Sequence, residues 1–428
     1  MMSSSGLPGR NRVGHHVGRL VLWLAAIFVL AAATAQTAWA QTYTVLHGFT
    51  GGVDGDAPYT GLTMDAAGDL YGTTSGGGAN GRGVVFKLTH IGSNWTFGTI
   101  YSFAGGSDGS NPQSRIAIAS DGALYGATDG GGGQGCSTYG CGTIYRLRPP
   151  ITVPKTVRTT WTEIVLHTFN GVDGSHPQGD LTFDDAGSIY GTTIGGGDFN
   201  WGTVYKLARS GQTWTHSILF SARNDADGSE PYGGVIFDKS GNLYGVCQFS
   251  QGGLGTAFQL TPSGSGWTEH TIHSFNFGGD NGVEPIGGLI MDSLGNLFGG
   301  TLYGGSFPAA GAVYELMPSD SGWQYATIHS FTDGDGGPVD KLIMDATGNL
   351  YGTALTGGAF GQGEVFKLTP SGGGWIHTSL HDFCAAGFPC PDGAEPMSAL
   401  VFDAQGHIYG TTSRGGASGN GVVFQIAP

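Results

Sequence analysis

The tripeptide Leu-Tyr-Gly, or a close variant, returns seven times along this chain. Its aromatic residue stands at Tyr71, Tyr125, Tyr190, Tyr244, Phe298, Tyr351 and Tyr409, in steps of 54, 65, 54, 54, 53 and 58 residues. A period of this size marks a chain built from stacked or circularly arranged units, each too small to bury its own apolar face. Each unit holds four short runs with strand character. In the fifth they are "GGLIMD", "NLFGGT", "GAVYELM" and "WQYATIHSF", here termed strands A, B, C and D. A and B are separated by "DAAGD", "DSLGN", "DATGN" or "DAQGH", with Asp opening a tight turn and Gly supplying the left-handed residue. Six units carry that Asp, and the second has Ala119. Four-stranded antiparallel units repeated about an axis make a β-propeller.

The two ends of the chain complete one unit between them. The last unit has A ("SALVFD"), B ("HIYGTT") and C ("GVVFQIA") but no D, whereas residues 42–49, "TYTVLHGF", read as a D strand with nothing before it. Joining the two removes the open edge that a linear array exposes. The expected fold is therefore all-β: a seven-bladed propeller, four antiparallel strands per blade, closed by the N-terminal strand in the last blade. An open seven-unit solenoid is the alternative. Glycine reaches 82 of 428 residues. The aromatic and aliphatic residues recurring at fixed places among the glycines exclude the disordered reading of that composition.

Residues 1–40 read as a signal peptide. Arg10, Arg12 and Arg19 precede the apolar run "LVLWLAAIFVLAAA", and "AWA" offers a cleavage site after Ala40. Residues 41–428 then form a single domain without a membrane span, expected to be a secreted or periplasmic monomer. The chain's stop at Pro428, directly after strand C, favours a free form over an anchored one. That domain carries 14 Lys and Arg against 32 Asp and Glu, a net charge of −18. So acidic a chain lacks the electrostatic footprint of a nucleic-acid binder.

The stretches "GTTSGGGANGRGVVFKLT" (72–89), "GTTIGGGDFNWGTVYKLA" (191–208) and "GTALTGGAFGQGEVFKLT" (352–369) resemble the GloVer (Gloeo/Verruco) tandem repeat of exported bacterial proteins, as does "LHTFNGVDGSHPQGDLTFDDAGSIYGTT" (166–193). The resemblance covers essentially all of 42–428. It implies an exported repeat protein and brings no catalytic residues with it.

Candidate sites come from the loops. D-to-A and B-to-C connections share one face of a propeller, and here both are elaborate. The D-to-A loops carry "DGxxP", with Asp54, Asp108, Asp173, Asp227 and Asp392, while the fifth unit has Asn281 and the sixth a shortened "DGGP" with Asp335. Calcium is one reading of that Asp set; turn formation by Asp-Gly is the other. His47, His167, His273, His329 and His381 recur in strand D, one per blade. By analogy with WD-repeat propellers, His167, Asp173 and Thr192 are expected to form a structural hydrogen-bond network. The Gly-rich B-to-C loops lead into strands rather than helices, so they are not phosphate loops.

Departures from the repeat say more about function than the repeat does. The residue before the strand-A aliphatic is Gly61, Arg115, Asp180, Gly234, Gly288, Lys341 and Ala399 in turn. Arg115, Asp180 and Lys341 are the charged exceptions on the innermost strand and the candidate ligand-binding residues, suited to an anionic or polyhydroxylated ligand. Cys136 with Cys141, and Cys384 with Cys390, bracket one loop each and are expected to pair in an oxidising compartment, leaving Cys247 as a buried thiol. The insertion "RPPITVPKTVRTT" (148–160) is expected to protrude from the opposite face. The leading functional expectation is a non-catalytic binding scaffold for a protein or glycan. The alternatives are a carbohydrate-active hydrolase or lyase with its site at the channel mouth, and a structural cell-surface protein.

Overall fold

The computed structural model describes residues 41–427, apart from 93, 134, 137, 154–155, 159, 265, 279–280, 307–309, 333–335 and 338–339. The expected leader and Asp335 therefore lie outside the described residues. Seven antiparallel sheets follow one another in chain order. Blade 1 spans 63–102, blade 2 110–168, blade 3 182–221, blade 4 229–274, blade 5 282–330 and blade 6 343–382. Blade 7 combines 401–427 with the N-terminal strand Thr42–Gly48. That strand pairs antiparallel with Val422–Ala427, from Thr42 opposite Ala427 to Gly48 opposite Val422. The ring is closed by hydrogen bonds between the two ends of the domain, as the sequence leads one to expect. Among the described residues no helix is long and apolar enough to cross a membrane. Part of the insertion folds as a small hairpin, with Ile151–Val153 paired to Thr156–Arg158.

Burial peaks at strand B and falls outward from it. In blade 1 strand B (Leu70–Thr74) is wholly buried, strand C (Val84–Ile91) is buried in its first half, and strand D (Asn94–Ser102) alternates exposed with half-buried positions. The core is a ring of seven clusters, one at each blade boundary. Leu400, Ile408 and Phe424 of blade 7 pack with Tyr351 and Val365 of blade 6, and Phe86 and Leu88 of blade 1 pack with Tyr409 and Val423 of blade 7. No blade owns a core, so none is stable without its neighbours.

Local chemistry explains the repeat signature. In the A-to-B turn of blade 1, Asp65 accepts the backbone N–H groups of Ala67 and Asp69 through Oδ1, and the Tyr71 hydroxyl donates to its Oδ2 at 3.0 Å. The turn Asp and the marker Tyr are thus one device. The Phe298 unit lacks the hydroxyl and keeps only the Asn296 side-chain bond to Asp292 Oδ2, which Asn242 and Asn349 make beside the Tyr hydroxyl in blades 4 and 6. The "DGxxP" proline has an inter-blade role. Gly202, before strand C of blade 3, has φ +96°, and a Cβ there would stand 2.6 Å from Cδ of Pro231 in the next blade. The equivalent approach joins Gly83 to Pro112 and Gly421 to Pro58. The residue before that proline is left-handed in six blades (Ala57, Asn111, His176, Glu230, Glu284, Glu395), and its N–H donates to the preceding blade, as from Glu395 to the Gln362 carbonyl at 2.9 Å.

The strand-D histidines form a belt across the blade boundaries. The His47 ring stacks on Phe97, His167 on His216, His273 on Tyr325, His329 on His377 and His381 on Tyr43, with centroids 3.8–4.7 Å apart. Burial holds His273 low, at about 4. Between about pH 6.5 and 4 the unfolded chain binds a proton at this position that the folded chain refuses, so the position's contribution to stability is lost as pH falls through that window. His273→Phe, which installs what blade 3 already carries at Phe220, is therefore expected to gain on the wild type by about 1–2 kcal/mol between pH 6.5 and 4, discounted for partial exposure. Denaturant unfolding at both pH values checks this; a gap independent of pH would show that His273 protonates as freely folded as unfolded.

Candidate functional site

In blades 2, 4 and 5 strand A reaches the axis through an irregularity. In blades 4 and 5 the pairing with strand B shifts register between Tyr232 and Ile236 and between Ile286 and Ile290. In blade 2 the strand divides into Ser110–Pro112 and Ala117–Ile118, both paired to Leu124–Gly130, which gives that sheet a fifth segment. A bulge of this kind re-aims side chains away from the sheet. It falls at the positions singled out from sequence. All seven blades contribute to a depression of about 520 Å³, including Tyr59, Arg115, Asp180, Tyr232, Asp340 and Glu395. It opens on the face of the D-to-A and B-to-C loops. Glycine keeps the ring tight: a Cβ on Gly233 (φ +74°) would lie 2.2 Å from the Gly288 nitrogen.

Two of the three candidate ligand residues, Arg115 and Asp180, line the depression. The third, Lys341, reaches Asp180 Oδ2 with its Nζ at 3.4 Å. Blade order separates Lys341 from Asp180 widely, but the narrow axis brings blades 3 and 6 within side-chain reach. Arg115 is fixed by its Nε, which donates to the Leu62 carbonyl at 2.8 Å and to Thr63 Oγ1 at 3.2 Å. Its terminal nitrogens take no partner among the described residues.

Sequence reasoning missed Asp340. Its counterparts in the other blades are Thr60, Ser114, Gly179, Gly233, Gly287 and Ser398, so the signal was an acid in a row of small residues, beside Lys341. Asp340 Oδ1 accepts the Lys341 N–H and Oδ2 the Ala399 N–H, each at 2.6 Å. Burial, together with the nearby Asp180 charge, pushes its pKa up to about 7 against the pull of those bonds and of Arg115. Burial and the Asp180 charge thus both act to hold Asp340 toward its protonated form. Tyr232, pushed up to about 12 by burial and Asp340, stays a hydrogen-bond donor. Asp129 also breaks its loop's pattern. It accepts from the side chains of Gln178 at 2.8 Å and Asn111 at 3.3 Å, and its carboxylate lies 3.3 Å from His176 Nδ1, fixing the blade 2–3 rim.

The other predicted residues stay apart. Asp54 is bonded to His47 and to Thr50, Asp173 to His167 and the Asn170 N–H, and Asp392 to His381 and the Cys384 N–H. Asp108 holds the Tyr101 hydroxyl and the Ala104 N–H. Asp227 departs from the pattern, its N–H donating to Asp225. Each acid serves its own loop, and the five do not share a site. The His167–Asp173 bond is present, but the Thr192 hydroxyl has no partner, so the expected three-residue network reduces to a pair. One histidine per blade does not mean isolated histidines: His216, from strand D of blade 3, joins His167 and Asp173 within 4.8 Å. The two imidazoles lie parallel to within 7°. Their in-plane lone pairs therefore run side by side rather than converging, and the pair is one link of the belt where other blades use Phe97 or Tyr325.

Both expected disulfides are formed, Cys136–Cys141 and Cys384–Cys390, and Cys247 is a buried free thiol. Exposed aromatic rings stand in the D-to-A and B-to-C loops of several blades, among them Tyr139, Phe199, Phe277, Phe360 and Phe388.

The fold and the site together define a seven-bladed propeller with a charged, asymmetric depression at the mouth of its channel. The chain belongs to the Gloeobacter/Verrucomicrobia repeat family, whose profile matches residues 26–160, 134–337 and 249–428. Among curated protein sequences none matches. Solved structures share the fold at low identity. PorZ, an essential surface component of the type-IX secretion system of Porphyromonas gingivalis, superposes with a TM-score of 0.51 at 14% identity over 87% of this chain. The present chain spans 46% of PorZ's length. A polysaccharide lyase, an ulvan lyase, matches with a TM-score of 0.51 at 12% identity over 87% of this chain and 94% of its own. The periplasmic gluconolactonase PpgL of Pseudomonas aeruginosa gives 0.49 at 14% identity, over 76% of this chain and 84% of its own.

The charges around Asp340 yield a direct check. Asp180→Asn removes a neighbouring negative charge and is expected to lower the Asp340 pKa, whereas Arg115→Met removes a positive one and is expected to raise it. Carboxyl carbon shifts followed against pH read both directions, and an Asp340 pKa indifferent to both changes would show that the three groups do not sense one another.

Proposed function

We propose that this chain is an exported carbohydrate-active protein whose channel mouth binds and hydrolyses a sugar polymer. The observation that carries the reading is the pairing of Asp180 with Asp340 in one depression, the second pushed up to about 7. Glycoside hydrolysis uses two carboxyl groups in different protonation states. Protonated Asp340 donates its proton to the departing glycosidic oxygen. Water adds to the anomeric carbon, and the Asp180 carboxylate takes the proton that the water releases. Arg115, Tyr232 and Gln178 supply hydrogen bonds to hydroxyl or carboxylate groups of the sugar. A polysaccharide lyase built on a similar ring supports the choice of ligand class by analogy of fold alone. The apolar leader at residues 1–40 and the two disulfides support an oxidising compartment outside the cytoplasm.

A binding role without catalysis is the second reading. It is favoured by the two backbone N–H groups that Asp340 already holds, which give this residue a structural task of joining blade 6 to blade 7. One assay separates the two. The purified protein is incubated with neutral and uronate-containing polysaccharides, recording retention on the polymer, new reducing ends and ultraviolet absorbance of unsaturated ends. Hydrolysis predicts reducing ends without unsaturation, an activity that declines above about pH 7 as Asp340 loses its proton, and a loss of about 10²–10⁴-fold in Asp340→Asn with retention preserved. Retention without fragments in the wild type would leave the binding role, unsaturated ends would replace hydrolysis by elimination, and neither retention nor fragments would remove carbohydrate from consideration.

A further inference from the structure

A second depression lies on the same face, beside the channel mouth. It has a volume of about 410 Å³ and is lined by Phe360 and Gln362 from the B-to-C loop of blade 6, and by Phe388 between Cys384 and Cys390 in the next D-to-A loop. Two backbone bonds make it continuous with the mouth. The Glu395 N–H donates to the Gln362 carbonyl at 2.9 Å, and the Gly416 N–H donates to the Cys390 carbonyl at 2.8 Å. Glu395 and Arg414 line the mouth on the other side of that wall and face each other at 3.2 Å. The two depressions therefore share a wall formed by the loop after Cys390 and the loop around Arg414.

The side chains in the second depression are unusual for a monomer's surface. Phe388 is 95% exposed and Phe360 50% exposed. Phe388 sits among the five residues enclosed by the Cys384–Cys390 disulfide, so the exposed ring is carried on a loop whose ends cannot separate. Gln362 stands beside both rings with an amide that both donates and accepts. An apolar aromatic face flanked by an amide suits a sugar ring, which has an apolar C–H face and a rim of hydroxyls. The amide Nε2 also donates to the Gly361 carbonyl at 3.3 Å, which holds it at the edge of the depression, and a strongly charged partner finds no counter-charge among the lining residues.

We infer that Phe360, Phe388 and Gln362 form an outlying subsite for a further sugar unit of the chain whose reacting unit occupies the Asp180–Asp340 mouth, so that the preferred ligand is an oligo- or polysaccharide rather than a single sugar. This rests on the carbohydrate reading of the mouth. The subsite adds binding to units remote from the reacting bond, and the shared wall sets the direction of the sugar chain from the axis toward the boundary of blades 6 and 7.

The test compares wild type, Phe360→Ala/Phe388→Ala and Asp340→Asn. The probes are two graded series, glucose to cellohexaose and galacturonic acid to hexagalacturonate, with binding read by calorimetry and ligand-observed NMR. Both rings are largely exposed, so the double variant is expected to keep the wild-type thermal midpoint. The expected result is that in one series the hexamer binds the wild type more tightly than the monomer. The double variant then loses about tenfold on the hexamer while holding the monomer unchanged. Asp340→Asn is expected to keep the hexamer preference. Equal affinity for monomer and hexamer in the wild type, or a hexamer preference that survives the double variant, overturns the subsite and leaves the mouth reading intact. Absence of binding to every probe in both series overturns the two together.

Discussion

The structure depends on the pairing of Thr42–Gly48 with Val422–Ala427. Each sheet in the ring has two apolar faces and no core of its own, so every face must meet a neighbour. A linear array of seven would leave two such faces and two strand edges in water. Placing the first strand of the domain in the last blade covers both faces and both edges at once. It also adds a seventh interface to the six of a linear array and makes them a closed set, in which the loss of one contact is resisted by all the others. The seven boundary clusters, from Phe86 beside Tyr409 to Phe424 beside Tyr351, are what that closure protects.

Given closure, the repeat signature becomes a list of joints. The turn Asp with the marker Tyr fixes strand A against strand B within a blade. The DGxxP proline, set against a left-handed glycine of the preceding blade, fixes the distance between blades near the axis. The histidine belt fixes it again at the rim. These devices use backbone geometry and packing, so they repeat. They also leave the axis narrow, which is why Lys341 of blade 6 touches Asp180 of blade 3. The rigidity that the joints provide is what allows a few odd residues to hold a defined geometry at the mouth.

The fold was legible because every signal was repeated: seven Leu-Tyr-Gly markers, six turn aspartates and a missing strand D matched by a spare one. The site was legible only in part. Arg115, Asp180 and Lys341 stood out as charges on an otherwise neutral register, and the structure places them around the axis. Asp340 was missed although it neighbours Lys341, because the register chosen from sequence was one residue off the position that accepts backbone bonds. His216 was missed for a related reason. It stands two residues after Trp214, where Phe97 and Tyr325 stand in other blades, and which ring it meets depends on how neighbouring blades abut. Local spacing carries no information about contacts made across a boundary.

Symmetry itself sharpens the functional argument. A sevenfold frame presents the same group seven times, which suits neither an asymmetric ligand nor a reaction that needs one acid and one base. Chemistry must therefore enter through the exceptions, and the exceptions here gather at one place. Blade 2 contributes Arg115, blade 3 Asp180 with Gln178, blade 6 Asp340 with the Lys341 that reaches Asp180, and blade 7 Arg414. The glycines of the two adjoining registers, Gly61, Gly233 and Gly287, let neighbouring blades approach closely around the mouth. A structural role alone asks for no such concentration, since Thr60, Ser114 and Ser398 serve the ring where Asp340 could have been repeated. Burial of an acid next to another acid works against stability. That arrangement stands where all seven blades line one depression, and it is the observation on which the proposed function rests.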